Sequence, residues 1–456
     1  MDKAVLFKRK ATAELKEWKE KYKGRYSALL EGPRRVGKST IAEQFALKEY
    51  RSYIKVDFAN ITEELLHVFS SISNLDVFFF RLQAITGITL YNRESVIIFD
   101  EIQLQPKVRQ AIKYLVKDGR YDYIETGSLL SIKKNVAGIV IPSEEYRIPV
   151  WPMDYEEFLW ATGKNNYPLL REIFTSGKPV GQAVNRALMY DYRIYMTVGG
   201  MPQAVDAYVE KLPMREIDTV KRMIIELYEQ DFYKIDPSGR VSMMFHSIPS
   251  QLARNSKRYS VGFAINKKAR TSDYELLSDL INSRTVLSLF NCLDPSVSFS
   301  QGKDLEKFKL YLSDTGLFVT LLLKAEKETD TALYSKIMSD KLPAALGYLY
   351  ENAVAQALCA SGRDLYYMTW PKEQSTHSYE IDFLIREGTK AVPVEVKSSR
   401  IENHQSIDAF TRKYHSVVSS PYILSQKDQG KVGEIRLCPF YLSSFVFERR
   451  NAEGES

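Results

Sequence analysis

The chain has 456 residues, is 45% hydrophobic and 26% charged, and has a mean hydropathy of −0.28, values of a folded protein with a sizeable core rather than a disordered or collagen-like chain. Its formal charge of +6, from 63 Lys and Arg against 57 Asp and Glu, is too small to imply a nucleic-acid partner by itself. Three distant cysteines, Cys292, Cys359 and Cys438, exclude a disulfide framework or zinc site, and the lack of a run near the roughly 20 apolar residues of a membrane span points to a cytoplasmic location without membrane contact.

Apolar residues recur at helical spacing from Phe7 to Lys23, with Leu15, Trp18 and Tyr22 on one face. A strand follows over Tyr26 to Glu31, then a glycine-rich turn, then a helix over Ser39 to Glu49. Further strands are predicted at Ser52 to Phe58, Ser95 to Phe99 and Asp122 to Thr126, with helical patterns between them. Such alternation predicts a parallel sheet covered on both faces, with ligands at the carboxyl ends of its strands. From Trp151 the pattern turns helical, through Tyr155 to Thr162, Val184 to Met196 and Val220 to Phe232, with a break at Gly199-Gly200-Met201-Pro202.

Between Val241 and Leu323 the order reads helix, helix and two strands, at Ser283 to Cys292 and Phe308 to Ser313, which suits a winged helix. From Leu342 an apolar helix over Gly347 to Leu358 precedes strands at Asp364 to Thr369, Tyr379 to Ile385, Ala391 to Lys397 and Pro421 to Ser425. The expected architecture is therefore α/β: a P-loop core over residues 1–152, a helical lid over 153–238, a winged-helix-like domain over 239–335, and a C-terminal α/β domain over 336–450.

The turn after the first strand is Gly32-Pro33-Arg34-Arg35-Val36-Gly37-Lys38-Ser39-Thr40. Gly32, Gly37, Lys38 and Ser39 satisfy G-x-x-x-x-G-K-[ST], in which backbone N–H groups cradle phosphate, the lysine adds charge and the hydroxyl meets magnesium. Val96 to Phe99 lead into Asp100-Glu101, where Asp100 is placed to hold the metal and Glu101 to polarise an attacking water. The next strand ends in Glu125-Thr126-Gly127-Ser128. Thr126 is the first candidate for orienting the water or sensing the γ-phosphate, and Ser128 the second. ATP and Mg2+ are the expected cofactors.

Together with Pro152-Met153-Asp154-Tyr155-Glu156-Glu157-Phe158, Leu312 to Leu317 and Gly347 to Asn352, these motifs resemble the prokaryotic AAA+ ATPases of the archaeal-type branch, over almost the whole chain. The resemblance implies ATP binding and hydrolysis, and a C-terminal region of uncertain function. Many relatives place an arginine where Glu144 stands, so Arg109, Arg120 and Arg147 are the candidates for a finger that stabilises transition-state charge.

The C-terminal region carries a second chemical signal. Alternation sets Glu380 and Asp382 on one face of a strand, and Glu395 and Lys397 on one face of the next. Asp382, Glu395 and Lys397 are the residue types that magnesium-dependent phosphodiester hydrolysis uses. Their spacing resembles the PD-(D/E)XK restriction-endonuclease-like fold, and that resemblance implies Glu351 as a further metal ligand beside Asp382 and Glu395. Arg254, Lys257, Arg258, Lys267, Lys268 and Arg270 lie close in sequence with no acid among them, near a predicted recognition helix after Ser272; they suit phosphate contacts or a solvated loop equally.

Two functions are therefore expected to compete. One is an AAA+ ATPase acting on DNA through a winged helix and nuclease module. The other is a nucleotide-switched interaction protein, a homo-oligomer or bound to a protein partner, whose nuclease-like domain is inactive.

Overall fold

In the computed structural model, residues 6–127, 142–254, 258–323, 331–339, 346–373, 375–398 and 401–448 are described. Ser128 and Lys257 lie outside them. The chain forms two compact units, Met1–Trp151 with Asn282–Arg284, and Pro152–Ile281 with Thr285–Ser456.

The first unit contains β1 (Ser27–Glu31), β2 (Ser52–Asp57), β3 (Ser95–Asp100), β4 (Asp122–Gly127) and β5 (Glu145–Pro149). They form one parallel sheet in the order β2-β3-β4-β1-β5. β5 was not legible as a strand because its sequence, Glu-Tyr-Arg-Ile-Pro, has little apolar content. Alternate residues of the sheet meet two different helical layers. Leu30, Val96, Ile98 and Ile124 pack with Leu15, Trp18, Ile41 and Phe45, whereas Ile54, Val56, Ile97 and Phe99 pack with Phe78, Phe79, Ile112 and Leu115. Val96, Ile97, Ile98 and Phe99 are each fully buried, and each contributes about 1.5–3 kcal/mol by leaving water. That two-sided burial explains why β3 reads as an unbroken apolar run.

Strand order does something the sequence does not state. β4 is inserted between the P-loop strand β1 and the acid-bearing strand β3. Leu30 is in register with Thr126, and Phe99 with Glu125, so Thr126 stands beside Asp100 at the carboxyl end of the sheet.

The second unit opens with helices Tyr155–Ala161, Tyr167–Ser176, Gln182–Val198, Pro202–Val209 and Met214–Ile235. Asp154 starts the first of them through a reciprocal capping box with Glu157. Short helices Arg240–His246, Ile248–Ala253 and Val261–Ala264 precede helix Thr271–Asn282. An antiparallel hairpin, β6 (Val286–Cys292) and β7 (Lys303–Leu312), follows. After helix Tyr348–Ala360 come β8 (Tyr366–Pro371), β9 (Ser378–Ile381), β10 (Phe383–Glu387), β11 (Lys390–Lys397), β12 (Tyr422–Ser425), β13 (Gly430–Val432) and β14 (Ile435–Pro439).

These strands make two sheets, β7-β6-β8-β9 and β10-β11-β12-β14-β13. β6 pairs in parallel with β8, so the hairpin shares a sheet with strands from beyond residue 336. The strand expected over Tyr379 to Ile385 is interrupted at Asp382, where β9 ends and β10 begins in the other sheet. Glu380 and Asp382 therefore do not share one continuous strand face, and Asp382 stands at the junction of the two sheets. The helical segment is tied to the C-terminal region by polar contacts: the Asp428 carboxylate accepts from the backbone N–H groups of Val180 and Gly181 at 3.1 and 2.7 Å, and Asn185 donates to the Gln426 carbonyl at 3.0 Å. No helix of the described residues is long and apolar enough to cross a membrane.

Candidate nucleotide site and a second acidic cluster

The turn Gly32–Thr40 joins β1 to helix Lys38–Glu49. A Cβ on Gly32 would run into the Val150 carbonyl oxygen; only glycine lets β1 pass so close to the end of β5. Gly37 caps the helix with φ 96°, a left-handed conformation that glycine alone adopts without strain. The helix thus begins at Lys38, with its first N–H groups directed to the loop. Lys38 Nζ donates to the Gly32 and Pro33 carbonyls at 3.0 and 2.8 Å, which lays its ammonium across the loop.

Ser39 Oγ donates to Asp100 Oδ1 at 2.6 Å. The Thr126 hydroxyl donates to the same oxygen and accepts from the Glu101 N–H at 3.1 Å. Thr126 is completely buried and Asp100 nearly so. Glu101 follows with φ 55°, a left-handed conformation that costs a non-glycine residue about 1–2 kcal/mol, and Gln103 Nε2 donates to its carboxylate. The structure therefore brings Ser39, Asp100, Glu101 and Thr126 together beside Lys38.

Lys55 of β2 was not among the expected residues. Its Nζ is 3.5 Å from Asp100 Oδ2 and 3.3 Å from Glu43 Oε2. Burial opposes its charge, but Asp100 and Glu43 more than offset that and raise its pKa. The signal was present as a lysine at a central position of an apolar strand.

Two of the three arginine candidates are already committed. Arg109 makes two hydrogen bonds of 2.8 Å to Glu145, with both side chains buried. Arg120 is held by Asp118 and Asp76. These pairs hold one fork of each guanidinium on carboxylate, while Arg109 Nη1 is buried with no hydrogen-bond partner. Arg147 is half exposed, at 3.8 Å from Glu31 and 3.7 Å from Glu145, and Arg284 donates to the Glu31 carboxylate one residue ahead of the P-loop. Under the same part of the sheet Glu125 is fully buried and accepts from Ser27 at 2.6 Å; desolvation and the nearby Glu145 push its pKa up to about 8.

The acid–lysine constellation gathers at the meeting of the two sheets of the second unit. Glu395 and Lys397 pair at 2.7 Å, and Asp382 Oδ2 accepts from the Val396 N–H at 2.8 Å. Asp382 is pushed well above the usual carboxylate range by desolvation and by the charges of Glu351 and Glu395. Burial likewise raises Glu395, with Lys397 opposing. Sequence reading did not include Lys309 and Tyr311 of β7, which reach the same cluster: Lys309 pairs with Glu380 and Tyr311 Oη donates to Glu351 at 2.8 Å. Burial would lower Lys309, but Glu380, Glu351 and Asp382 more than compensate and hold it above the ordinary lysine value. A lysine inside Phe308-Lys309-Leu310-Tyr311-Leu312 was the available clue. Among the described residues, no group of three His, Cys, Asp or Glu is placed to hold a metal ion, so Glu351, Asp382 and Glu395 are electrostatic neighbours without forming such a set.

Arg254, Arg258, Lys267, Lys268 and Arg270 are exposed, with the Arg254 guanidinium 4.4 Å from the centre of the Phe263 ring. Helix Thr271–Asn282, the expected recognition helix, carries Asp273, Glu275 and Asp279 but neither Lys nor Arg. Its own charge opposes approach to phosphate, and Asp273 is already paired with Arg240 at 2.6 Å.

Residues 24–159 match the family described as AAA domain, while 189–328 and 346–440 match two domains of unknown function, DUF8612 and DUF4143. No curated protein matches the chain. Among solved structures it is similar to Cdc6p from Pyrobaculum aerophilum, at 11% identity over 75% of this chain and 97% of that one, with a TM-score of 0.24. It is also similar to the RuvB Holliday junction branch migration motor of Thermotoga maritima, at 14% identity over 61% and 86%, with a TM-score of 0.26. A signal transduction ATPase with numerous domains from Pyrococcus horikoshii, with a tetratricopeptide repeat sensor, shares 11% identity over 79% and 56%, with a TM-score of 0.29. At such scores these likenesses carry no weight. The family match, the strand order and the P-loop agree that residues 24–159 are an AAA domain with the nucleotide-binding fold of a P-loop ATPase.

Proposed function

We propose that the protein binds ATP with magnesium at Gly32–Thr40, hydrolyses it, and uses its nucleotide state to switch a partner interaction of the second unit. The observation that carries the ATP-binding and hydrolysing part of this reading is the convergence of Ser39, Glu101 and Thr126 on Asp100 beside Lys38. The phosphates are bound by the loop N–H groups and Lys38. A serine hydroxyl and a carboxylate 2.6 Å apart at a helix start are a donor set that fits magnesium; Ser39 and Asp100 would hold it, and it would neutralise charge on the phosphate oxygens. Thr126 holds the Glu101 backbone, and the Glu101 carboxylate accepts the proton of the attacking water.

The test is nucleotide binding measured beside ATP turnover. Lys38→Ala should lose both. Glu101→Gln should keep ATP bound, lose turnover, and trap the partner complex in ATP. Wild-type turnover by Glu101→Gln would remove Glu101 from the mechanism.

A second reading, magnesium-dependent DNA cleavage, has the residue types it needs in Asp382, Glu395 and Lys397 with Glu351 near them, but no group of three acids placed to hold the metal among the described residues. Linear, nicked and branched DNA incubated with magnesium or manganese decides it. Cleavage lost in Asp382→Ala supports it, and intact DNA with the wild type ends it. Partner capture with wild-type and Glu101→Gln protein, together with solution mass, tests the protein-partner and homo-oligomer readings.

A further inference from the structure

A lysine in a buried strand is costly unless its charge is met. β7 sets Lys309 and Tyr311 two residues apart, hence on one side of the strand, and both serve the acid cluster. Lys309 Nζ is 2.5 Å from Glu380, and its side chain is almost wholly enclosed. Tyr311 Oη donates to Glu351, Lys397 pairs with Glu395, and the Val396 N–H donates to Asp382. Glu351, Glu380 and Asp382 thus each accept a hydrogen bond from this chain, while Glu395 meets Lys397 as an ion pair, its Oε2 having no hydrogen-bond partner; two of these four partners are ammonium groups.

Metal-dependent hydrolysis asks for a different arrangement. Carboxylate oxygens must converge on the ion, and a hard divalent cation must win them from water and from other cations. Here the acids do not converge for a metal among the described residues, and a second lysine, which such a site does not need, is enclosed with them. The residues present do not fit the cation that the nuclease-like spacing implies.

We propose that Lys309 is an internal counter-ion which, with Lys397 and Tyr311, closes the cluster of Glu351, Glu380, Asp382 and Glu395 into a structural ionic core that takes up no divalent cation. The inference concerns the second unit alone and is independent of ATP turnover at Lys38.

The test uses the full-length chain without nucleotide, in an Asp100→Asn background that disables the P-loop cation partner. Free Mn2+ is followed by its electron paramagnetic resonance signal, and stability by thermal unfolding. The background protein should leave the Mn2+ signal unchanged up to about 1 mM, an ordinary working range for hard cations. Lys309→Met should lower the unfolding midpoint by about 5 °C or more, as loss of one member of a buried pair does. Lys309→Met combined with Glu380→Gln, which removes the partner charge as well, should recover most of that loss.

Mn2+ uptake that disappears on adding Asp382→Asn would overturn the proposal and make the cluster a metal centre. Unchanged stability in Lys309→Met would overturn it too, as would a double variant no more stable than the single one. Should Lys309→Met fail to fold, the double variant decides: a folded protein supports the counter-ion role and an unfolded one refutes it.

Discussion

Replacing Thr126 with valine keeps the shape of a completely buried side chain and deletes one hydroxyl. That hydroxyl donates to Asp100 and accepts from the Glu101 N–H. Asp100 retains Ser39 and Lys55, whereas the described contacts leave the Glu101 N–H no other acceptor. Loss of a hydrogen bond to a charged group removes about 1.5–3 kcal/mol, and the part-buried Glu101 N–H left without its acceptor adds a fraction of the about 1–3 kcal/mol that a fully buried orphan costs; about 2–4 kcal/mol is the net expectation. For a unit of about 150 residues this lowers the melting midpoint by about 5–15 °C.

The same hydroxyl holds Glu101 in its left-handed conformation, φ 55°. If about 2 kcal/mol of that positioning is lost in the transition state, ATP turnover falls about 30-fold. ATP affinity should change much less, because Lys38 and the loop are untouched. Thermal unfolding, fluorescent-nucleotide binding and steady-state phosphate release measure the three quantities on one preparation. A Thr126→Val protein with unchanged turnover and midpoint would refute the assignment of Thr126 as the residue that orients Glu101.

Three further outcomes are expected. Gly32→Ala forces a Cβ into the Val150 carbonyl, so it should abolish ATP binding in a titration with fluorescent nucleotide; binding within a few-fold of wild type would contradict the close approach. Arg109→Met leaves the Glu145 carboxylate buried, and chemical denaturation should register a loss of about 3–5 kcal/mol. Lost turnover without lost stability would instead mark Arg109 as a transition-state arginine. Lys221 is fully enclosed, and burial lowers its pKa to about 8 against the opposing charges of Asp218 and Asp314. The unfolded chain, with an ordinary lysine near 10.5, binds the extra proton between those values, so this group makes stability rise with pH from about 8 to 10.5. Urea titrations at several pH values should show that rise reduced in Lys221→Met, and an identical slope in the two proteins would exclude it.

Local sequence determined the chemistry that depends on neighbours along the chain. Gly32, Gly37, Lys38 and Ser39 define a turn and a helix start whose geometry follows from glycine freedom and orphan N–H groups, and the apolar run Val96 to Phe99 marks a buried strand ending in Asp100. Tertiary structure alone decided what lies beside what. Insertion of β4 between β1 and β3 is a matter of strand order, which has no local signature, yet it puts Thr126 on Asp100. Pairing ties Arg109 and Arg120 to carboxylates, and only part of it was local: Asp118 is two residues from Arg120, whereas Glu145 is 36 residues from Arg109 and Asp76 is 44 from Arg120. The acid cluster shows the same division most sharply. Asp382, Glu395 and Lys397 were legible as a motif, but Lys309 comes from a hairpin 71 residues before Glu380, and only the packing of the two sheets around that pair sets the charge the cluster carries.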